Sequence, residues 1–174
     1  MERRLELIGE MTPAIWVHLI AAVIALVLGG FVLWRRKGDW RHKLAGRIWV
    51  ATMLVVAVSS FWITEIREEG FSPIHALSVY TLLSLTVGIW ALRKGPVTAT
   101  SITAHKRAMQ GLYGFGLLIA GGFTLLPFRF LGRMTFGETM PWINYAIVAA
   151  MVSIGVVVVV RSYGSIARNR IERV

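Results

Sequence analysis

The sequence predicts an all-α integral membrane protein. The expected fold is an antiparallel four-helix bundle, made of two duplicated two-helix units, with a fifth, peripheral transmembrane helix. Three observations predict it. Of 174 residues, 56% are hydrophobic and only 16% are charged, whereas soluble domains carry about a quarter charged residues. Five apolar stretches each approach the ~20 residues a helix needs to cross a bilayer. The first pair of stretches and the second pair also share landmarks in the same order. Unpaired backbone groups are not tolerated in lipid, so the stretches are helices. Short connections make consecutive helices antiparallel neighbours. Residues 1–174 read as a single membrane domain.

The first helix is expected over about 12–34. Its apolar run is too long for a signal peptide, and no small-residue cleavage site precedes the basic run Arg35, Arg36, Lys37, so it reads as a retained helix. The second is expected over about 44–66. The third, about 73–92, follows Gly70-Phe71-Ser72-Pro73, which reads as a turn with Ser72 as N-cap and Pro73 at the first helical position. The fourth is expected over about 109–128 and the fifth over about 142–160. The four-helix core then spans 12–128, and the fifth helix has no counterpart in the repeat.

The charges fix a topology. Loop 35–47 carries Arg35, Arg36, Lys37, Arg41, Lys43 and Arg47; loop 93–107 carries Arg93, Lys94, Lys106 and Arg107; the tail carries Arg161, Arg168, Arg170 and Arg173. With five spans these regions share one side, and they hold 14 of the 19 basic residues. The positive-inside rule then places the N-terminus outside and the C-terminus in the cytoplasm. A net charge of +10 in a soluble protein points to nucleic acid. Here it lies in membrane loops facing anionic lipid, and no nucleic-acid motif is present. The partner that follows directly is the lipid bilayer. No cysteine is present, which excludes disulfides, thiolate metal sites, iron–sulfur clusters and covalently attached c-type haem.

The repeat aligns His18 with His75 and Lys37-Gly38 with Lys94-Gly95, both offset by 57 residues. His42-Lys43 and His105-Lys106 align at an offset of 63, the extra six residues fitting inside 96–104. The four histidines thus fall one to a helix. His18 and His75 lie near the outer ends of helices one and three; His42 and His105 lie near the inner ends of helices two and four. In a ring of four antiparallel helices, one and three are diagonal, as are two and four. Two imidazoles facing across a bundle can ligate one haem iron axially. The expected cofactor is therefore haem b, two per chain, with His18/His75 and His42/His105 as the iron ligands. Gly29 lies eleven residues after His18, about 16 Å along the helix and nearly on the same face, and Gly116 stands in the same relation to His105. Both are candidates for the close approach of a haem. Arg41, Arg47 and Arg107 lie near the inner pair and are candidate partners for haem propionates. Taken singly, each of these residues also has an ordinary reading as an interfacial anchor or a helix contact.

His42-Lys-Leu-Ala-Gly-Arg47, Gly70-Phe-Ser-Pro-Ile-His75, His105-Lys-Arg-Ala-Met109 and Ala120-Gly-Gly-Phe-Thr-Leu-Leu-Pro-Phe-Arg129 resemble a bacterial family of predicted membrane proteins, domain of unknown function 2306. The resemblance covers most of 15–130. It implies a multi-pass protein of the bacterial cytoplasmic (inner) membrane and no settled activity. The arrangement of four consecutive helices with one histidine each is similar to that of the cytochrome b(561) group. That resemblance lies in architecture and not in motif: the histidine-rich signatures of that group are missing. It implies a di-haem electron carrier pairing first with third and second with fourth.

The leading expectation is a di-haem b-type membrane cytochrome passing electrons to or from quinone, a possible oxidoreductase, acting as a homodimer or with a respiratory-complex partner. Phe71, Tyr80, Trp62 and Trp16 form either an interfacial aromatic belt or the wall of a quinone pocket. A non-catalytic accessory or assembly subunit is one alternative. A histidine-based metal-ion site or transporter is another, but mid-membrane polar groups are few: Ser59, Ser60, Thr81, Ser84 and Thr86. The acids Glu65, Glu68 and Glu69 form a loop on the outer side that suits solvent.

Overall fold

The computed structural model describes residues 9, 11–63, 73–136 and 141–171, all in helices, turns or short connections, with no strand among them. Helix α1 is Pro13–Trp34 and α2 is Trp40–Ser59, continued by a 3-10 turn, Ser60–Trp62. Helix α3 is Pro73–Arg93. Helix α4, Ala99–Gly111, runs without a break into a π-helical segment, Leu112–Ile119, and then α5, Ala120–Thr124. Helix α6, Phe130–Phe136, and α7, Pro141–Ile171, complete the order. Pro13–Trp34, Trp40–Trp62, His75–Arg93 and Pro141–Tyr163 are each long and apolar enough to cross a membrane. The chain divides into two compact units, Gly9–Thr86 and Val87–Val174, with α3 contributing residues to each.

In the first unit, α1 and α2 pack as an antiparallel pair. The buried residues of α1, Ala21, Ala25, Gly29 and Val32, form a stripe of small side chains. Those of α2, Ala45, Trp49, Met53 and Ala57, recur every fourth residue. Small side chains let helix backbones approach closely where lipid offers no hydrophobic gradient. Trp49 is 3% exposed, and its indole N–H donates to the Ala25 carbonyl at 2.9 Å. That bond satisfies the one polar atom of a side chain otherwise suited to the interior. The outward face of α1 is apolar as well: Ile20, Val23, Val27 and Phe31 are all at least half exposed. A helix hydrophobic all round belongs in a membrane.

The connection from α1 to α2 is set by three consecutive residues. Lys37 Nζ donates to the α1 carbonyls of Val32 (3.2 Å) and Leu33, capping the negative end of the helix. Gly38 adopts φ +89°, a left-handed conformation that glycine takes without penalty. Asp39 then caps α2, accepting from the His42 backbone N–H at 2.7 Å and pairing with Arg35 at 2.6 Å. The aligned Lys94-Gly95 shares the sequence but not this geometry: Lys94 stacks over Trp90 at 4.3 Å, and Gly95 has no positive φ.

In the second unit, α7 lies against the π segment at backbone distance. A Cβ placed on Gly114 would fall 2.8 Å from the Gly155 carbonyl oxygen, and one on Gly155 would fall 2.7 Å from that of Gly114. The connection 125–130 and α6 are pinned to α7 by Asn144. That residue is fully buried, and its Nδ2 donates to the Leu125 and Gly132 carbonyls at 3.1 and 3.2 Å.

Several boundaries differ from the sequence expectation. Helix α2 begins at Trp40 rather than 44, and the fourth helical run at Ala99 rather than 109. The causes are the Asp39 cap and a capping box, in which Thr98 and Ser101 bond each other's backbone N–H. The fourth run ends at Thr124, short of Phe128, because Pro127 disfavours helical conformation at the residue before it. The last helix continues through Ile171, eleven residues beyond the apolar run. Ser72, expected as an N-cap, Phe71, the acids Glu65, Glu68 and Glu69, and the terminal Arg3, Arg4 and Arg173 lie outside the described residues.

Candidate functional site

Each of the four histidines lies in the first two turns of its helix. His18 is the sixth residue of α1, His42 the third of α2, His75 the third of α3 and His105 the seventh of α4. All four are half-buried.

In the first unit, the end of α2 and its 3-10 turn contact both His18 and the start of α3. His18 Nδ1 lies 2.9 Å from the Val56 carbonyl and 3.2 Å from Ser59 Oγ. Ser60 Oγ hydrogen-bonds Ser78 Oγ on α3. The Phe61 ring centroid lies 5.8 Å from that of His75, tilted by 37°. Three consecutive residues, 59–61, thus contact His18 on one side and the first turns of α3 on the other. His42 sits at the opposite end of the α1–α2 pair, beside the Asp39 cap.

A carbonyl only accepts, so His18 Nδ1 carries the proton and Nε2 presents its lone pair. The same holds for His105 in the second unit, where Nδ1 donates to the Gly88 carbonyl at 2.9 Å. Metal-ligating histidines nearly always donate their second ring N–H to a carbonyl or carboxylate in this way, which fixes the tautomer and raises ligand basicity. The donor chemistry of His18 and His105 therefore suits an axial haem ligand. No cluster of three or more metal-ligating residues occurs among the described residues; bis-imidazole haem ligation needs two per iron.

Val56 and Gly88 were not singled out by the sequence, and Ser59 only as a mid-membrane hydroxyl. Two act through a backbone carbonyl, which leaves no trace in residue type. Gly88 is buried and carries the one legible signal, a glycine inside an otherwise regular apolar helix.

Gly29 is buried in the small-residue stripe of α1. Gly116 is half-buried within the π segment, whereas Gly114, two residues earlier, makes the close approach to α7. A π-helix turns through a smaller angle per residue than an α-helix. The eleven-residue α-helical count that placed Gly116 on the His105 face therefore does not hold across it. Arg41 and Arg47 are exposed, Arg41 lying over the Trp40 ring at 5.3 Å. Arg107 lies 6.0 Å over the Tyr163 ring, and its Nε is buried with no hydrogen-bond partner. Of the three arginines, it is the one with a shielded donor still to be satisfied.

Three of the mid-membrane hydroxyls bond carbonyls of their own helix: Ser59 donates to the Val55 carbonyl at 2.7 Å, Thr81 to Leu77 at 2.9 Å and Thr86 to Leu82 at 2.8 Å. An open apolar groove of about 500 Å³ is lined by Pro13, Val17, Leu54, Val58, Ser59 and Trp62.

Residues 15–131 match a family described as predicted membrane protein (DUF2306). No curated protein and no solved structure matches the chain.

Proposed function

We propose that this chain, which belongs to the family of predicted membrane proteins DUF2306, is a b-type di-haem cytochrome of the bacterial inner membrane, exchanging electrons with quinone. One observation carries the reading. Residues 59–61 hold His18 and His75 at one end of a single compact unit, and His18 has its Nδ1–H committed to Val56, leaving Nε2 for a metal. Bound haem supplies one-electron redox chemistry.

In this reading His18 and His75 would hold one haem iron. The assignment of His42 and His105 to a second rests on the sequence repeat. Arg107, whose Nε is buried and unpartnered, pairs with a propionate. The apolar groove lined by Val17, Val58 and Trp62 would take the apolar chain of a quinone. The distribution of Lys and Arg places the N-terminus outside and the C-terminus in the cytoplasm.

The function is tested with the purified full chain in vesicles. On addition of a short-chain quinol, absorbance characteristic of reduced bis-imidazole haem is expected to grow in. Haem that dithionite reduces and quinol leaves oxidised would remove quinone from the account.

A further inference from the structure

We infer that Gly88 is the positioning residue for His105, fixing which of its ring nitrogens is free to bind a metal. The inference rests on the haem reading for its consequence and on geometry for its substance. His105, on the second turn of α4, reaches the C-terminal half of α3 and donates Nδ1–H to the Gly88 carbonyl at 2.9 Å. That reach exists because residue 88 has no side chain. A Cβ there would overlap Met109 Cε, lie 3.0 Å from Ala108 Cβ, and come within 3.9 Å of His105 Nδ1 itself. Met109 and Ala108 lie one turn further along α4 from His105, so a side chain at 88 must displace the Met109 tip and crowd Ala108 Cβ on the turn next to the ring. Gly88 thus contributes both the acceptor and the clearance that lets the ring meet it.

An imidazole has two neutral tautomers. The acceptor at Nδ1 selects one, so Nε2 keeps the lone pair a metal requires. The donated Nδ1–H also gives the ring partial imidazolate character. A more basic axial ligand favours oxidised iron and lowers the potential. With haem held through His105, residue 88 would therefore tune that haem's potential and leave that of the other unchanged.

The test uses the full chain with ¹⁵N-labelled histidine, first without haem and then reconstituted. In the haem-free wild type, His105 is expected as the Nδ1–H tautomer with about a tenfold bias, the worth of one net hydrogen bond. Gly88→Ala is expected to bring the tautomers near equality. Met109→Ala is expected to leave the bias intact, and Gly88→Ala with Met109→Ala to restore most of it, by removing the atom the new Cβ would overlap. On reconstitution, Gly88→Ala should move one midpoint potential to more positive values while the other stays. A wild-type His105 protonated on Nε2, or a bias that Gly88→Ala leaves in place, overturns the inference. A protein that takes up no haem but shows the tautomer pattern overturns the electron-transfer reading and leaves the role of Gly88 standing.

Discussion

Replacing His18 by Gln separates the two things its imidazole does. Structurally, His18 gives one hydrogen bond to Val56 and touches Ser59. The Val56 carbonyl does not depend on it: the Ser60 backbone N–H donates to the same oxygen. His18→Ala therefore leaves no orphaned buried acceptor and costs about 1 kcal/mol for the bond, plus the lost packing of a half-buried ring. That is roughly a five- to tenfold change in the folding equilibrium constant, well short of unfolding a protein with a typical stability of several kcal/mol. His18→Gln keeps an amide donor at a similar reach, so its stability is expected within about 1 kcal/mol of wild type. Neither variant keeps a nitrogen that ligates iron. Both are expected to lower bound haem from about two per chain to about one, since bis-histidine ligation needs both rings. His75→Gln is expected to remove the same spectral component, and the double variant to resemble either single one. The assay is haem content and the reduced-minus-oxidised spectrum, with thermal unfolding in detergent as the stability control. A stable His18→Gln protein that retains both haems would refute the pairing; so would loss of different components in His18→Gln and His75→Gln.

Gly155→Ala sets a gain in helix propensity of about 1 kcal/mol against a Cβ 2.7 Å from the Gly114 carbonyl oxygen and 2.8 Å from Ile119 Cγ1. Backbone does not yield cheaply, so a net loss of about 1–2 kcal/mol is expected by detergent denaturation; a variant more stable than wild type contradicts the close contact. Trp49→Phe deletes the buried bond to Ala25 and is expected to cost about 0.6–1.7 kcal/mol, the range of hydrogen bonds between membrane helices, measured the same way against Trp49→Ala, which costs several-fold more. The Asp39 carboxyl is held down from 3.8 to about 2 by its hydrogen bond to Arg35, then by the His42 N–H. A depressed carboxyl stabilises the fold above its unfolded value and loses that effect as pH falls through the folded one, so the thermal-midpoint gap between wild type and Asp39→Asn is expected to close between about pH 4 and 2. Reporter fusions after Lys37 and Lys94 are expected inside and one after Arg133 outside; an inside signal at Arg133 reverses the topology.

Four of the five expected spans and the histidine placement were legible because both depend on residue type alone: long apolar runs, and one histidine near the start of each helix; the fourth run, 99–124, is not among the described helices long and apolar enough to cross a membrane. What hydropathy cannot register is a polar first turn. Trp40–Lys43 and Ala99–Arg107 are helical through Asp39 and the Thr98–Ser101 box, and both were left in the basic loops. The π segment was invisible for a different reason. Its sequence, Leu112–Ile119, is as apolar as any α-helix, and its wider turn reflects packing: Gly114 and Gly155 bring two backbones together. The partners that fix the His18 and His105 tautomers act through backbone carbonyls, which any residue possesses.

The central claim is that histidines at the helix starts hold iron, and the haem content of the purified chain tests it most directly. Protein from haem-replete cells, assayed by pyridine haemochrome and reduced-minus-oxidised spectroscopy, is expected to carry about two b-type haems per chain with bis-imidazole spectra. A colourless preparation that is folded and helical would contradict the account.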